Sequence, residues 1–236
     1  MDDELLNIKE NIIFDDEYKS WMEKISNIEN EFAISSSFNN SVALDHGIEH
    51  MNRVANNVYN LLKEYNCSKD ICILGYIAGL IHDIGMINGK NGHAENGAKM
   101  AKTFLKKLDF IDNRDIKKIT NAIKNHGNGG TDTDEITSFL TISDKVDICK
   151  SRFLGTVSPI QYIENYTIKI KNGALQIDYI MTDLKGKEAL YTIPKSIDIP
   201  KTLGNNLGMK VEFYINEKCE EFKDRKDFKG KIYQRK

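Results

Sequence analysis

All five histidines of the chain fall between His46 and His126, and one stands directly before an aspartate in Ile81-His82-Asp83-Ile84-Gly85. Histidine is the commonest metal ligand at neutral pH and the commonest general acid or base. Concentrated in one segment beside Asp83 and Asp144, it supplies what a metal site assembled from several helices requires. A mixture of imidazole and carboxylate suits borderline and hard divalent ions: Mn, Fe, Co, Ni, Zn or Mg. Adjacent ligands such as His82 and Asp83 can serve one ion or bridge two, and a carboxylate between ions about 3.5–4 Å apart is the usual dinuclear design. Such a site brings the pKa of a bound water near neutrality and so provides hydroxide for attack on phosphorus.

The elements that must position these groups follow from hydrophobic periodicity. Residues 1–35 read as one or two amphipathic helices, with Trp21, Ile25, Ile28 and Phe32 at helical spacing. A polar, serine- and asparagine-rich loop over 36–45 follows. The helix predicted over 46–65 has its stripe at Val54, Val58 and Leu61 or Leu62, and His50 lies one turn before Val54 on the same face. The segment 70–82 is apolar almost all round and reads as a buried helix ending in His82-Asp83. Unpaired buried charge is costly, so two ionisable groups at that end need a partner. Helices are expected over 93–108, opened by His93, over 113–125, ended by His126 and the glycines after it, and over 133–151, carrying Asp144. The loop 86–92 joins two of the candidate ligands and reads as a lid or edge. Gly127 to Gly130 lacks the Lys-Ser/Thr of a P-loop and reads as a helix stop and a rim near His126. After Ser158-Pro159 the pattern alternates around Asn172-Gly173, as in a β-hairpin. A short helix over 200–207, a strand at Val211-Phe213-Ile215 and a charged, solvated tail from Glu220 to Lys236 complete the chain.

The ordered series is specific where the lone dipeptide is not. His50-x-x-Arg53-Val54, Gly79-Leu80-Ile81-His82-Asp83-Ile84-Gly85, His93-x-x-x-Gly97-Ala98, Ala122-Ile123-x-x-His126 and Ser143-Asp144-Lys145-x-Asp147 together resemble the HD domain superfamily over roughly 46–152. The resemblance implies an all-helical domain and a metal-dependent phosphohydrolase acting on nucleotides or related phosphate esters. It implies that His50, His82, Asp83 and Asp144 hold a first divalent ion and that His93 and His126 complete a second. Asp83, Lys145 and His46 are then the candidate catalytic groups: Asp83 as bridge, Lys145 as a point charge on a phosphate oxygen, His46 as a phosphate contact or as a partner behind the ligands. Asp147 either orients a ligand or contacts a sugar. A His-His followed by Gly-Tyr-Pro is missing, which disfavours the cyclic-di-GMP phosphodiesterase group. The His-Arg-x-x-x-His of the dNTP triphosphohydrolases is missing near His50, and no synthetase domain supports a guanosine tetraphosphate hydrolase.

Bulk composition restricts the rest. The net charge of −2 gives no electrostatic case for nucleic acid as main partner. The four cysteines show no CxxC spacing and read as reduced thiols of a cytoplasmic protein. The acidic N-terminus is neither signal nor transit peptide, and the apolar run Ile71–Ile81 is too short to span a bilayer. The expected class is mainly α: an HD-type helical bundle at 41–157, an N-terminal helical extension at 1–40 and a small α+β region at 158–236 that resembles no known module and is a candidate homodimer surface. Two other readings keep the same ligands: a di-iron oxygenase on the HD fold, and a non-catalytic metal- or nucleotide-binding regulatory module.

Overall fold

A computed structural model describes residues 3–37, 44–127, 134–154, 158–193 and 195–222. Among the described residues, seven α-helices precede the sheet: α1 (Asp3–Ile13), α2 (Asp16–Ser37), α3 (Ile48–Glu64), α4 (Lys69–Ile81), α5 (His93–Leu105), α6 (Asn113–Asn125) and α7 (Glu135–Val146). Their starts obey capping chemistry. Ser68, Asp112 and Asp134 each accept a hydrogen bond from a main-chain N–H three residues on, at 3.4, 2.8 and 2.8 Å. Of the N-terminal stripe, Trp21 and Ile25 are buried, Trp21 edge-on to Phe104, whereas Ile28 is exposed.

α4 is the axis of the core. Counted with the 3-10 turn that follows (Ile84–Asn88), Lys69–Asn88 is long and apolar enough to cross a membrane, which corrects the shorter run counted from the sequence; 78% of its apolar window is buried inside the protein. It is the core helix of this fold. Its glycines allow α3 to come close: a Cβ on Gly79 would stand 2.4 Å from the Ala55 Cα. The Tyr18 hydroxyl of α2 donates to the Leu80 carbonyl at 3.0 Å, fixing the end of α4 where the ionisable pair emerges. The expected lid over 86–92 is partly this 3-10 turn, with Ile84, Gly85 and Met86 buried, so only its later residues form an edge.

α7 stops at Val146, five residues before the predicted end, because Asp147 leaves the helical region at φ −72°, ψ 70°. That break turns its carboxylate toward α3. Beyond it, β1 (Ile163–Lys171) and β2 (Ala174–Met181) form the expected hairpin, with Asn172 and Gly173 both at positive φ as a two-residue turn demands. β2 pairs in parallel with β3 (Lys210–Ile215), which forces a crossover, supplied by α8 (Gly186–Thr192) and α9 (Lys195–Asn206). The helix anticipated at 200–207 is thus the second half of α9. A short β4 (Lys218–Glu220) pairs antiparallel with β3 and completes the order β1-β2-β3-β4.

One contiguous buried cluster runs from Leu5 in α1 to Phe222 after β4, through all three expected segments. The Tyr179 hydroxyl on β2 donates to the Val146 carbonyl at 3.2 Å, and Asn57 of α3 donates to the Tyr166 hydroxyl of β1 at 2.7 Å. The sheet therefore grips α3 and the end of α7. The rim at 128–130, most of the loop at 36–45 and the tail from 223 lie outside the described residues.

Candidate metal centre

Three helices deliver side chains to one buried point: α3 brings His50, the end of α4 brings His82 and Asp83, and α7 brings Asp144. His50 Nε2 lies 3.2 Å from His82 Nε2, 3.6 Å from Asp83 Oδ2 and 3.4 Å from Asp144 Oδ1. His82 Nε2 lies 3.2 Å from Asp83 Oδ2 and 3.9 Å from Asp144 Oδ1. Ligands about 2.1 Å from a shared ion and about 90–109° apart lie about 3.0–3.4 Å from each other. Three of the observed separations fall in this range, and those of 3.6 and 3.9 Å correspond to wider angles at one central cation.

A second triad adjoins it. His93 Nε2 and His126 Nε2 are 3.3 Å apart, and each is 3.4 Å from Asp83 Oδ1. Asp83 thus turns one oxygen to each cluster. Oδ1 is buried and has no hydrogen-bond partner, a costly state that a cation relieves.

Tautomers strengthen the case. Nδ1 of His82, His93 and His126 lies 2.9, 2.8 and 2.6 Å from the carbonyls of Gly79, Lys90 and Ile123. A carbonyl only accepts, so each Nδ1 carries the proton and each neutral ring presents a lone pair at Nε2. His50 Nδ1 lies 2.6 Å from Asp147 Oδ2 in the same manner. Lone pairs facing lone pairs need a cation between them. These residues fit a pair of divalent ions.

Without one, protons take that place. Burial opposes charge on His82, but Asp83 and Asp144 outweigh it and hold the imidazole up to about 10. His50 is likewise raised against burial and the Arg152 charge by Asp144, Asp147 and Asp83. Burial pushes the other way on Asp83 and Asp144, yet His82 beside the first and Lys145 beside the second hold both well below the carboxylate range. His126 falls below its usual value, mainly through burial.

The remaining sequence candidates line the approach. His46, His93 and Lys145 keep 21, 21 and 19% of their side-chain surface, whereas His50, His82 and Asp147 are wholly enclosed. Lys145 pairs with Asp144 Oδ2, the oxygen turned away from the cluster. His46 stands edge-on to His50 with ring centroids 5.9 Å apart, and burial pushes it down to about 3. His46 is therefore a neutral ring beside the first cluster. Asp147 lies against His50 Nδ1; it also receives Arg53 Nε at 3.1 and 3.2 Å, and Arg152 donates to its carbonyl at 2.7 Å.

Sequence reasoning missed Arg152 and Glu29. Arg152 is buried and also donates from Nε to the Asp45 carbonyl at 2.8 Å, tying the segment before α3 to the end of α7. Glu29 touches His46 from α2. Neither belongs to a motif; Arg152 sits in an irregular stretch, and Glu29 is one acid among many in a charged helix.

No curated protein matches the chain. Among solved structures, a predicted HD superfamily hydrolase from an uncultured Thermotogales bacterium is 22% identical, over 56% of this chain and 68% of that one, with a TM-score of 0.40. Residues 47–150 match the family model of the HD domain, and this segment carries every residue of both ligand clusters. Over residues 47–150 the chain is thus similar to the HD domain.

Proposed function

We propose that the protein is a metal-dependent phosphohydrolase, a phosphomonoesterase or phosphodiesterase, acting on a small phosphorylated substrate such as a nucleotide. The observation that carries the reading is Asp83, whose two oxygens divide between two His-containing clusters. The bound ions supply Lewis acidity toward a phosphoryl oxygen and ionise water near neutral pH. The chain does the rest. Asp147 and three main-chain carbonyls fix the rings so that only Nε2 faces inward. Lys145, partly exposed beside Asp144, places a point charge where a phosphoryl oxygen arrives. The enclosed walls around His50 and His82 keep bulk water off the reacting face and strengthen each charge inside.

Elemental analysis of the purified protein, followed by phosphate-release assays with Mn, Fe, Co, Ni and Mg on a nucleotide panel with and without oxygen, tests the reading. The expected result is ion-dependent, oxygen-independent phosphate release that His82→Ala abolishes while helical circular dichroism survives. Full turnover by an ion-free His82→Ala protein refutes it.

A further inference from the structure

Arg152 lies just beyond the segment that matches the HD domain and is almost wholly buried. Its Nη1 donates to the Asp147 carbonyl at 2.7 Å and its Nε to the Asp45 carbonyl at 2.8 Å. The main chain repeats the link: the Asp45 N–H donates to the Arg152 carbonyl at 2.7 Å, and Leu44 forms an antiparallel bridge with Phe153. Asp45 carries the hold into α3, because its carboxylate accepts the Gly47 N–H at 3.1 Å just before the helix begins. One guanidinium thus joins the chain entering α3 to the chain leaving α7. His50 stands in the first turn of α3, and Asp147, 2.6 Å from its Nδ1, stands at the break that ends α7. A buried guanidinium is costly, and apolar side chains would fill the same space with less loss. What an arginine adds is a planar group whose N–H directions are fixed, so that two acceptors are held in a set relation. The second cluster has no such link: the rings of His93 and His126 are held by the Lys90 and Ile123 carbonyls, each three residues away.

We propose that Arg152 is a positioning residue for the ion of the first cluster alone. By locking the exit of α7 to the entry of α3 it holds Asp147 against His50, and so sets the affinity of that cluster while leaving the second untouched. The inference rests on the two clusters holding ions, and not on the reaction they serve.

Isothermal titration of the ion-free full chain with Mn²⁺ tests this in two variants. Arg152→Met keeps the apolar stem and removes every donor; Arg152→Lys keeps the charge without the planar group. In Arg152→Met the binding step that Asp147→Asn also weakens should weaken about 10–100-fold, and the other step should hold. Arg152→Lys should fall between Arg152→Met and the wild type. A cycle with Asp147→Asn separates positioning from general loosening. Because Arg152 acts through Asp147, the double variant should bind this ion within about twofold of the weaker single variant. Losses that multiply, two steps weakened alike, or a first-cluster step that does not change overturn the proposal. A second readout needs no variant. Coupling between binding and the clasp is reciprocal, so an ion tightened by the clasp must tighten it in return. Hydrogen exchange of the Asp45 main-chain amide, followed by NMR, should slow at least about tenfold on saturation of the wild-type protein with Zn²⁺, and unchanged exchange overturns the proposal. A wild-type protein that takes up no ion overturns the metal centre and this role with it, whereas two binding steps indifferent to Arg152 remove this role alone.

Discussion

Replacing Asp147 by asparagine isolates the first cluster. Asp147 is fully buried, 2.6 Å from His50 Nδ1 and 3.1–3.2 Å from Arg53 Nε, and touches no ligand of the second cluster. Burial alone would raise its carboxyl, but His50, Arg152 and Arg53 hold it far below the usual range. The amide keeps one acceptor oxygen for His50 and loses the charge that makes Nε2 a stronger donor to an ion. Removing such a partner lowers ion affinity about 10–100-fold, or about 1.4–2.7 kcal/mol. Arg53 loses its counter-charge as well. Its side chain is 26% exposed, so water offsets part of the loss, and the fold should lose about 1–3 kcal/mol rather than the full cost of an orphaned buried charge. Isothermal titration of ion-free Asp147→Asn with Mn²⁺ should show one binding step weakened about 10–100-fold and the other nearly unchanged. Two steps shifted equally, or neither, would refute the assignment of Asp147 to His50 and with it the separation of the two clusters.

Asp83→Ala should empty both clusters and His93→Ala only the second, which elemental analysis reads directly; retention of both ions by Asp83→Ala would sink the bridging role. In the ion-free protein His50 and His82 hold protons above their ordinary 6.5, His82 up to about 10, and an ion must displace them. Apparent affinity should therefore rise with pH across that window, by up to about tenfold per pH unit for each proton released. The sign for stability is the reverse: because these pKa values are raised in the fold, their contribution to the ion-free protein is complete below 6.5 and is lost as pH rises through about 10. Melting in chelator at pH 6 and pH 9.5 checks this, and no difference would contradict the proton-filled site. Gly79→Ala forces a Cβ to 2.4 Å from the Ala55 backbone, where a helix and not a side-chain tip must move; a loss of about 1–3 kcal/mol is expected by chemical denaturation. Gly85→Ala would meet the His93 carbonyl at 2.0 Å and should weaken the second cluster more than the first.

The helices α3 to α7 were legible from their apolar patterns, reinforced at α4, α6 and α7 by a capping residue, and the hairpin because Asn172-Gly173 is a turn dipeptide. The end of α7 was not. Ile148 continues the helical spacing, and only the pull of His50, Arg53 and Arg152 on Asp147 breaks the helix at Val146. α8 is short and follows from the parallel pairing of β2 with β3, a long-range contact with no local signature, and β4 is a three-residue strand paired with its neighbour β3. The same limit hid Glu29, which meets His46 only when α2 packs near the mouth of the cluster.

By itself the sequence named the candidate donors: residue types, their order and their places at helix ends single out His50, His82, Asp83, His93, His126 and Asp144. Ligand chemistry is a property of side chains, and helical period is a property of neighbours. Tertiary structure decided what distance alone can decide. It assigned one oxygen of Asp83 to each cluster, gave Asp147 to His50, paired Lys145 with the outer oxygen of Asp144, and set a half-buried His46 ring against Glu29. Charge state and partnership depend on burial and on groups distant in sequence, and both are set when the helices close around the site.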